Sequence, residues 1–212
     1  MNNHLFWLKF GLFSVGLGQS FAFVLVPPLA RDLGLSEIQT STIFAISAVP
    51  WAITSASWGR ASDNFGRRNI AVIGLIGYSI SIIALITPLF LVEQNLLAFV
   101  YLFPSLILGR LINGLIGSAT RPASFAYLAD ITPPEKRTVK FARMESSFLA
   151  GTVLGPLIGG FLFLFSQSLL FYLFAACALI AAFQLYLKMP NTKITTETAN
   201  EINTISLRDA NV

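Results

Sequence analysis

Gly59-Arg60-Ala61-Ser62-Asp63-Asn64-Phe65-Gly66-Arg67-Arg68 gathers three arginines, an aspartate and two glycines into ten residues, in a chain with only 14 basic and 10 acidic side chains among 212. Long uncharged stretches flank it, 22 residues back to Glu37 and 24 forward to Glu93. A helix crossing the bilayer core needs about 20 mostly apolar residues, so the flanks read as two membrane spans and the charged decapeptide as the loop between them. An acid at a membrane edge is costly unless paired. Gly66 allows a tight turn, and Arg67 is near enough in sequence to fold back on Asp63. Contact with anionic lipid accounts for Arg60, Arg67 and Arg68, but not for Asp63 or the glycines.

Counting outward from this loop gives the rest of the architecture. Lys9 to Arg31 leaves 21 uncharged residues, enough for one span, and Glu145 to Lys188 leaves 42, enough for two with a hairpin turn at Ser166-Gln167-Ser168. Between Glu93 and Asp130 lie 36 residues that carry only Arg110 and Arg121, so a further span runs there with Arg110 inside the membrane. The predicted fold is an all-α membrane protein. Residues 1–188 form a six-helix bundle with spans at about 10–30, 39–58, 69–91, 97–127, 142–165 and 169–187. A polar tail, residues 189–212, follows as a solvated cytoplasmic extension. With the N-terminus cytoplasmic, Lys9, Arg60, Arg67, Arg68, Lys136, Arg137, Lys140, Arg143, Lys188, Lys193 and Arg208 all fall inside and only Arg31 outside. Both termini are then cytoplasmic. The first apolar run is read as a span and not a signal peptide, because it continues through Pro27-Pro28 past the poor cleavage site Ser20-Phe21-Ala22.

Composition excludes other classes. A chain 55% apolar with a mean hydropathy of +0.71 cannot supply the charged surface of a soluble domain, and its 19 Phe contradict disorder. The single cysteine, Cys177, forms neither an intrachain disulfide nor a metal cluster. His4 is the only histidine, and no nucleophile triad or phosphate loop is visible, so no enzyme, cofactor, metal or nucleic-acid partner is expected.

Two helices carry further motifs. The fourth span contains Leu106, Arg110, Asn113, Gly114, Gly117 and Ser118. An arginine near a helix centre costs about 2.5 to 3.5 kcal/mol on insertion scales, so Arg110 is expected to face a polar cavity with Asn113 and Gln19 beside it. Arg121, just before Pro122, is nearer the cytoplasmic end and is read as snorkelling. In the fifth span Gly151, Gly155 and Gly159 form a smooth stripe for close helix approach, followed by Gly160. Pro156 removes the hydrogen bond to the Thr152 carbonyl and bends the helix.

With these residues in this order, the chain resembles the major facilitator superfamily. Gly59, Asp63, Gly66, Arg67 and Arg68 match the pattern of that family's loop between helices two and three, with Asn64 standing where a base is expected. Arg110, Asn113 and Gly114 resemble its fourth-helix motif, with Ile116 in place of a small residue. The glycine helix resembles the motif of the antiporter branch. Val26-Pro27-Pro28-Leu29 ahead of Arg31-Asp32-Leu33-Gly34-Leu35-Ser36 is similar to the start of the drug and proton antiporters, which include tetracycline and multidrug exporters.

The resemblance implies one half of a twelve-helix fold, a 3+3 inverted repeat in a bacterial inner membrane, taking part in proton-coupled efflux of small amphipathic compounds or drugs by alternating access. It assigns Gly59, Asp63, Gly66, Arg67, Arg68 and Asp130 to a gating cluster, and Gln19, Arg110, Asn113 and Gly114 to a cavity or proton pathway. Expected partners are the lipid bilayer, a small-molecule substrate, and a second six-helix half or a second copy of the chain. No acid lies in the charge-free spans, so the exchanged proton falls either to the other half or to Glu37, Asp63 or Asp130. Two further readings stay open, a truncated or split-gene module with no transport of its own and a small solute channel.

Overall fold

A computed structural model describes residues 3–163 and 167–192. Seven α-helices follow in order: α1 (Asn3–Asp32), α2 (Glu37–Phe65), α3 (Arg67–Glu93), α4 (Leu102–Leu115), α5 (Thr120–Asp130), α6 (Pro134–Phe163) and α7 (Gln167–Lys188). Short 3-10 turns at Phe99–Tyr101 and Gly117–Ala119 precede α4 and α5, and the described residues contain no strand. Ser166 of the expected hairpin, and the tail from residue 193 onward, lie outside the described residues.

Among the described residues, four stretches are long and apolar enough to cross a membrane: His4–Asp32, Arg67–Glu93, Phe99–Asp130 and Leu170–Lys188. The helices α2 and α6 have 29 and 30 residues, which at 1.5 Å per residue is about 43 to 45 Å. Serines and threonines lower the hydropathy of α2, while in α6 a charged first half, Glu135 to Glu145, precedes an uncharged stretch from Ser146 to Phe163.

Local chemistry sets the ends of α2. Ser36 accepts a hydrogen bond from the Gln39 amide at 3.2 Å, while the Gln39 side chain accepts one from the Ser36 amide at 2.9 Å. This capping box satisfies two amides that the first turn would otherwise leave free. Gly66 alone separates α2 from α3. Its φ of 94° lies in the region that L side chains avoid, and a Cβ there would collide with the Asn191 side chain.

The third helix is central, packing against α7, α4 and α5, with Leu75, Tyr78, Ile82 and Leu85 buried. Against the far side of α7 lies α1, whose main partner is α6. The glycines explain that contact. A Cβ on Gly151 or Gly155 would strike the backbone carbonyls of Phe13 or Leu17, one on Gly159 would enter the Phe21 ring, and one on Gly16 would strike the Phe148 carbonyl. Two helices meeting backbone to backbone gain dispersion contact that larger side chains would block. Gly160 meets nothing and takes no part.

The span expected at about 97–127 falls within the apolar stretch Phe99–Asp130, whose α-helical ladder breaks at Ile116 and resumes through a 3-10 turn at Gly117–Ala119. One sequence expectation changes here: the first residues of the expected solvated tail are docked. Met189 is buried, and the Thr192 carbonyl accepts a hydrogen bond from the Arg67 amide at 3.1 Å. That bond satisfies one of the orphan amides at the start of α3.

Candidate functional site

The loop charges converge on Arg67. Its guanidinium is buried and meets Asp63 one helical turn back, Asp130 Oδ2 at 2.9 Å across the bundle, and the Ser62 hydroxyl at 2.6 Å. Two hydrogen bonds and an ion pair, made through Nε and Nη1, join the end of α2, the start of α3 and the end of α5. Gly66 makes this possible, because a one-residue link places Arg67 directly over the last turn of α2. Arg68 turns the other way: its guanidinium lies 4.9 Å from the Tyr186 ring centroid and donates to the Met189 carbonyl at 3.4 Å. Gly59 faces Pro122 of α5 with room to spare.

Arg110 is 3% exposed. Its Nη2 donates to the Ser47 hydroxyl at 2.8 Å, and its guanidinium carbon lies 4.8 Å from the Phe44 ring centroid and 5.5 Å from that of Phe23. Its Nε has no partner. The expected neighbours Asn113 and Gln19 do not hold it. Asn113 is turned toward Gly117, where a Cβ would lie 2.6 Å from its Oδ1, and Gln19 makes no hydrogen bond to Arg110 among the described residues. Three residues on one face of α2 and on α1 do the holding instead. Phe44 and Ser47 are spaced i, i+3, and aromatic faces solvate a guanidinium without needing a counter-charge.

The break between α4 and α5 is stitched to α2. Gly114 sits so close to α2 that a Cβ would lie 2.6 Å from the Ser47 carbonyl. The Thr54 hydroxyl is 2.7 Å from the Pro50 carbonyl, 3.0 Å from the Gly114 carbonyl and 3.0 Å from the Ser118 hydroxyl. Trp58 Nε1 donates to the Leu115 carbonyl at 2.6 Å. Carbonyls released by the 3-10 turn thus regain donors from a neighbouring helix, as apolar surroundings require.

One pair escaped the sequence reading. Arg121 does not simply snorkel: its Nη2 meets Glu145 Oε1 of α6 at 2.6 Å, and its guanidinium carbon stands 4.6 Å from the Phe148 ring centroid. Arg121 lies nine residues before the end of α5, about 13 Å along the helix from Asp130. The two side chains are about one-third exposed. Of the glycine helix, Gly151, Gly155 and Gly159 serve the α1 contact described above, and Pro156 is half-buried beside them.

A family model described as Major Facilitator Superfamily matches residues 8–209. The chain is 31% identical over 181 residues to the quinolone resistance protein NorA of Staphylococcus aureus, covering 85% of this chain and 44% of that protein. It is 30% identical over 171 residues to multidrug resistance protein 1 of Bacillus subtilis, covering 81% of this chain and 41% of the relative. The chain therefore spans less than half the length of these curated relatives. Apolar helices of spanning length, charges held in pairs within and beneath them, and a match along nearly the whole sequence make this an integral membrane protein related to multidrug efflux transporters and not an enzyme, and the chain belongs to the major facilitator superfamily.

Proposed function

We propose that the chain forms one six-helix half of a proton-coupled exporter of small amphipathic molecules, crossing a bacterial inner membrane six times with both termini cytoplasmic. In this reading α4 and α5 together make the fourth span, and the 3+3 inverted repeat rocks against an opposing six-helix half, whether on a longer polypeptide or a separate one. The observation that carries it is the Arg121–Glu145 pair, one-third exposed, whose arginine lies inside the apolar stretch Phe99–Asp130. Lipid offers neither group a hydrogen bond, so a pair left partly open at that depth belongs on a water-accessible path or against an opposing bundle. The printed names of the two relatives support drug-like substrates.

Roles follow from position. Asp63, Arg67 and Asp130 brace the cytoplasmic ends of α2, α3 and α5, and the loop acid supports the opposing half in the outward-facing state. Arg110 shapes the polar lining between α1 and α2, with Gln19, Asn113 and Gly114 on the same pathway. Glu145 is better placed to carry the exchanged proton than the edge acids, because its partner Arg121 lies about 13 Å in from the end of α5, whereas Glu37, Asp63 and Asp130 lie at helix ends.

The test is reconstitution. Expressed alone, the chain inserts but confers no drug resistance; paired with a matching six-helix half it restores efflux, and Glu145→Gln in that pair abolishes the dependence of efflux on the proton gradient while substrate binding persists. Efflux by the isolated chain with no dimer on cross-linking refutes the half-transporter reading. A pair that folds and binds but never transports assigns the chain to the alternative, a membrane module without transport activity.

A further inference from the structure

Beside the gating cluster, at the same basic end of the bundle, a cavity of about 170 Å³ opens between α1, α5 and α6, lined by Leu5, Lys9, Leu128, Lys140, Arg143 and Met144. Leu128 and Met144 are buried and form its floor. The cations come from two helices and give the wall their apolar stems, with Lys9 and Arg143 exposed and Lys140 half-buried. Leu5 and Lys9 are spaced i, i+4 on α1, and Lys140, Arg143 and Met144 share one face of α6. No carboxylate lines the cavity. The nearest acid in sequence, Glu145, is bound to Arg121, and Asp130 is bound to Arg67. Lys9, Lys140 and Arg143 have no ion pair of their own among the described residues.

Three like charges around an apolar slot repel one another and leave hydrocarbon exposed unless an anion with an apolar body occupies the site. We infer that this cavity binds one anionic phospholipid, its phosphate among Lys9, Lys140 and Arg143 and the start of an acyl chain against Leu5, Leu128 and Met144. A free phosphate ion satisfies the cations but has no use for the apolar floor, whereas a neutral lipid satisfies the floor and leaves the cations unpaired. The level is right for a headgroup, because the positive end of the bundle faces the anionic leaflet surface. This inference rests on the proposed orientation, with the basic end cytoplasmic, and is independent of substrate and coupling.

Native mass spectrometry and thermal unfolding of the purified full chain in neutral detergent test it, with phosphatidylglycerol, phosphatidylcholine, glycerol 3-phosphate and inorganic phosphate added in turn. A contribution near the surface of about fivefold in affinity per basic residue gives about 100-fold preference for phosphatidylglycerol over phosphatidylcholine. One phosphatidylglycerol retained per chain, with a raised melting temperature that the two phosphate compounds do not produce, is the expected result. Lys9→Gln, Lys140→Gln and Arg143→Gln combined should abolish it, while Arg60→Gln with Lys136→Gln should leave it unchanged. Where the triple variant does not fold, Arg143→Gln alone must lower retention at least several-fold. Equal retention of phosphatidylcholine, an equal response to inorganic phosphate, or equal loss in the Arg60 and Lys136 control overturns the assignment.

Discussion

Arg67 allows a quantitative test, because its two carboxylates reach it by different routes. Asp63 is one turn away on the other side of Gly66, whereas Asp130 lies 63 residues away and closes α5 onto α3 at 2.9 Å. The arginine is buried, but Asp63 and Asp130 are 37% and 32% exposed, which screens both pairs. A hydrogen bond to a charged group is worth about 1.5 to 3 kcal/mol and an exposed pair about 0.2 to 1, so the Asp130 bond should contribute about 1.5 kcal/mol. The Asp63 pair resembles an i, i+4 surface pair at about 0.5 kcal/mol, since the short link already holds its partners together. Double-mutant cycles with Arg67→Ala against Asp130→Ala and Asp63→Ala, read by unfolding in mixed micelles, should return those two coupling energies in that order. Raising the salt concentration should weaken the Asp63 coupling, which behaves as a surface pair, more than the Asp130 coupling. Additivity within about 0.5 kcal/mol for Arg67 and Asp130, or a larger coupling to Asp63, refutes the view that this cluster fastens α5 to α3.

Other outcomes follow from the packing. Gly155→Val, which drives a branched side chain into the Leu17 carbonyl, should cost more than about 3 kcal/mol or prevent folding, whereas Gly160→Ala, with nothing within 4 Å, should be neutral or stabilise by up to about 1 kcal/mol in the same assay. Ser47→Ala should cost about 1.5 to 3 kcal/mol by stripping Arg110 of its one hydrogen bond to a side chain, and Phe44→Leu should cost about 1 kcal/mol more than the same change at Phe90, an exposed site on α3. Trp58→Phe keeps the ring but removes the donor to Leu115, and should lower stability by about 1 kcal/mol with no loss of helix content by circular dichroism.

The helical class and the Arg67 cluster were legible because charge is rare in this sequence and so marks position. A decapeptide dense in arginine between uncharged flanks has few physical readings, and a glycine next to Arg67 and a turn beyond Asp63 leaves one turn geometry. Arg110 was legible as an intramembrane charge for the same reason. Its surroundings were not, since Phe23 and Phe44 are indistinguishable in sequence from ordinary apolar lining, and an amide such as Asn113 looks a better partner than an aromatic face. The Arg121–Glu145 pair was hidden by the counting itself: Glu145 served as a boundary, and nothing across a separation of 24 residues announces a contact between helices. The glycine stripe of α6 was visible as a small-residue face, but only the fold shows that α1 fills it.

The interruption between α4 and α5 has a mechanical consequence. A continuous helix resists bending because every degree of curvature lengthens hydrogen bonds that hydrocarbon cannot replace. Here the Thr54 hydroxyl stands within 3.0 Å of two carbonyls and a second hydroxyl, and the Trp58 donor reaches a third carbonyl from outside the ladder. As the two pieces flex, that hydroxyl can exchange one acceptor for another without passing through an unbonded state, so the energy profile along the bend is nearly flat. The Phe99–Asp130 stretch is then a soft joint whose two arms carry Arg110 on one side and Arg121, paired with Glu145 of α6, on the other, and motion at one arm alters the leverage on the other without unfolding either.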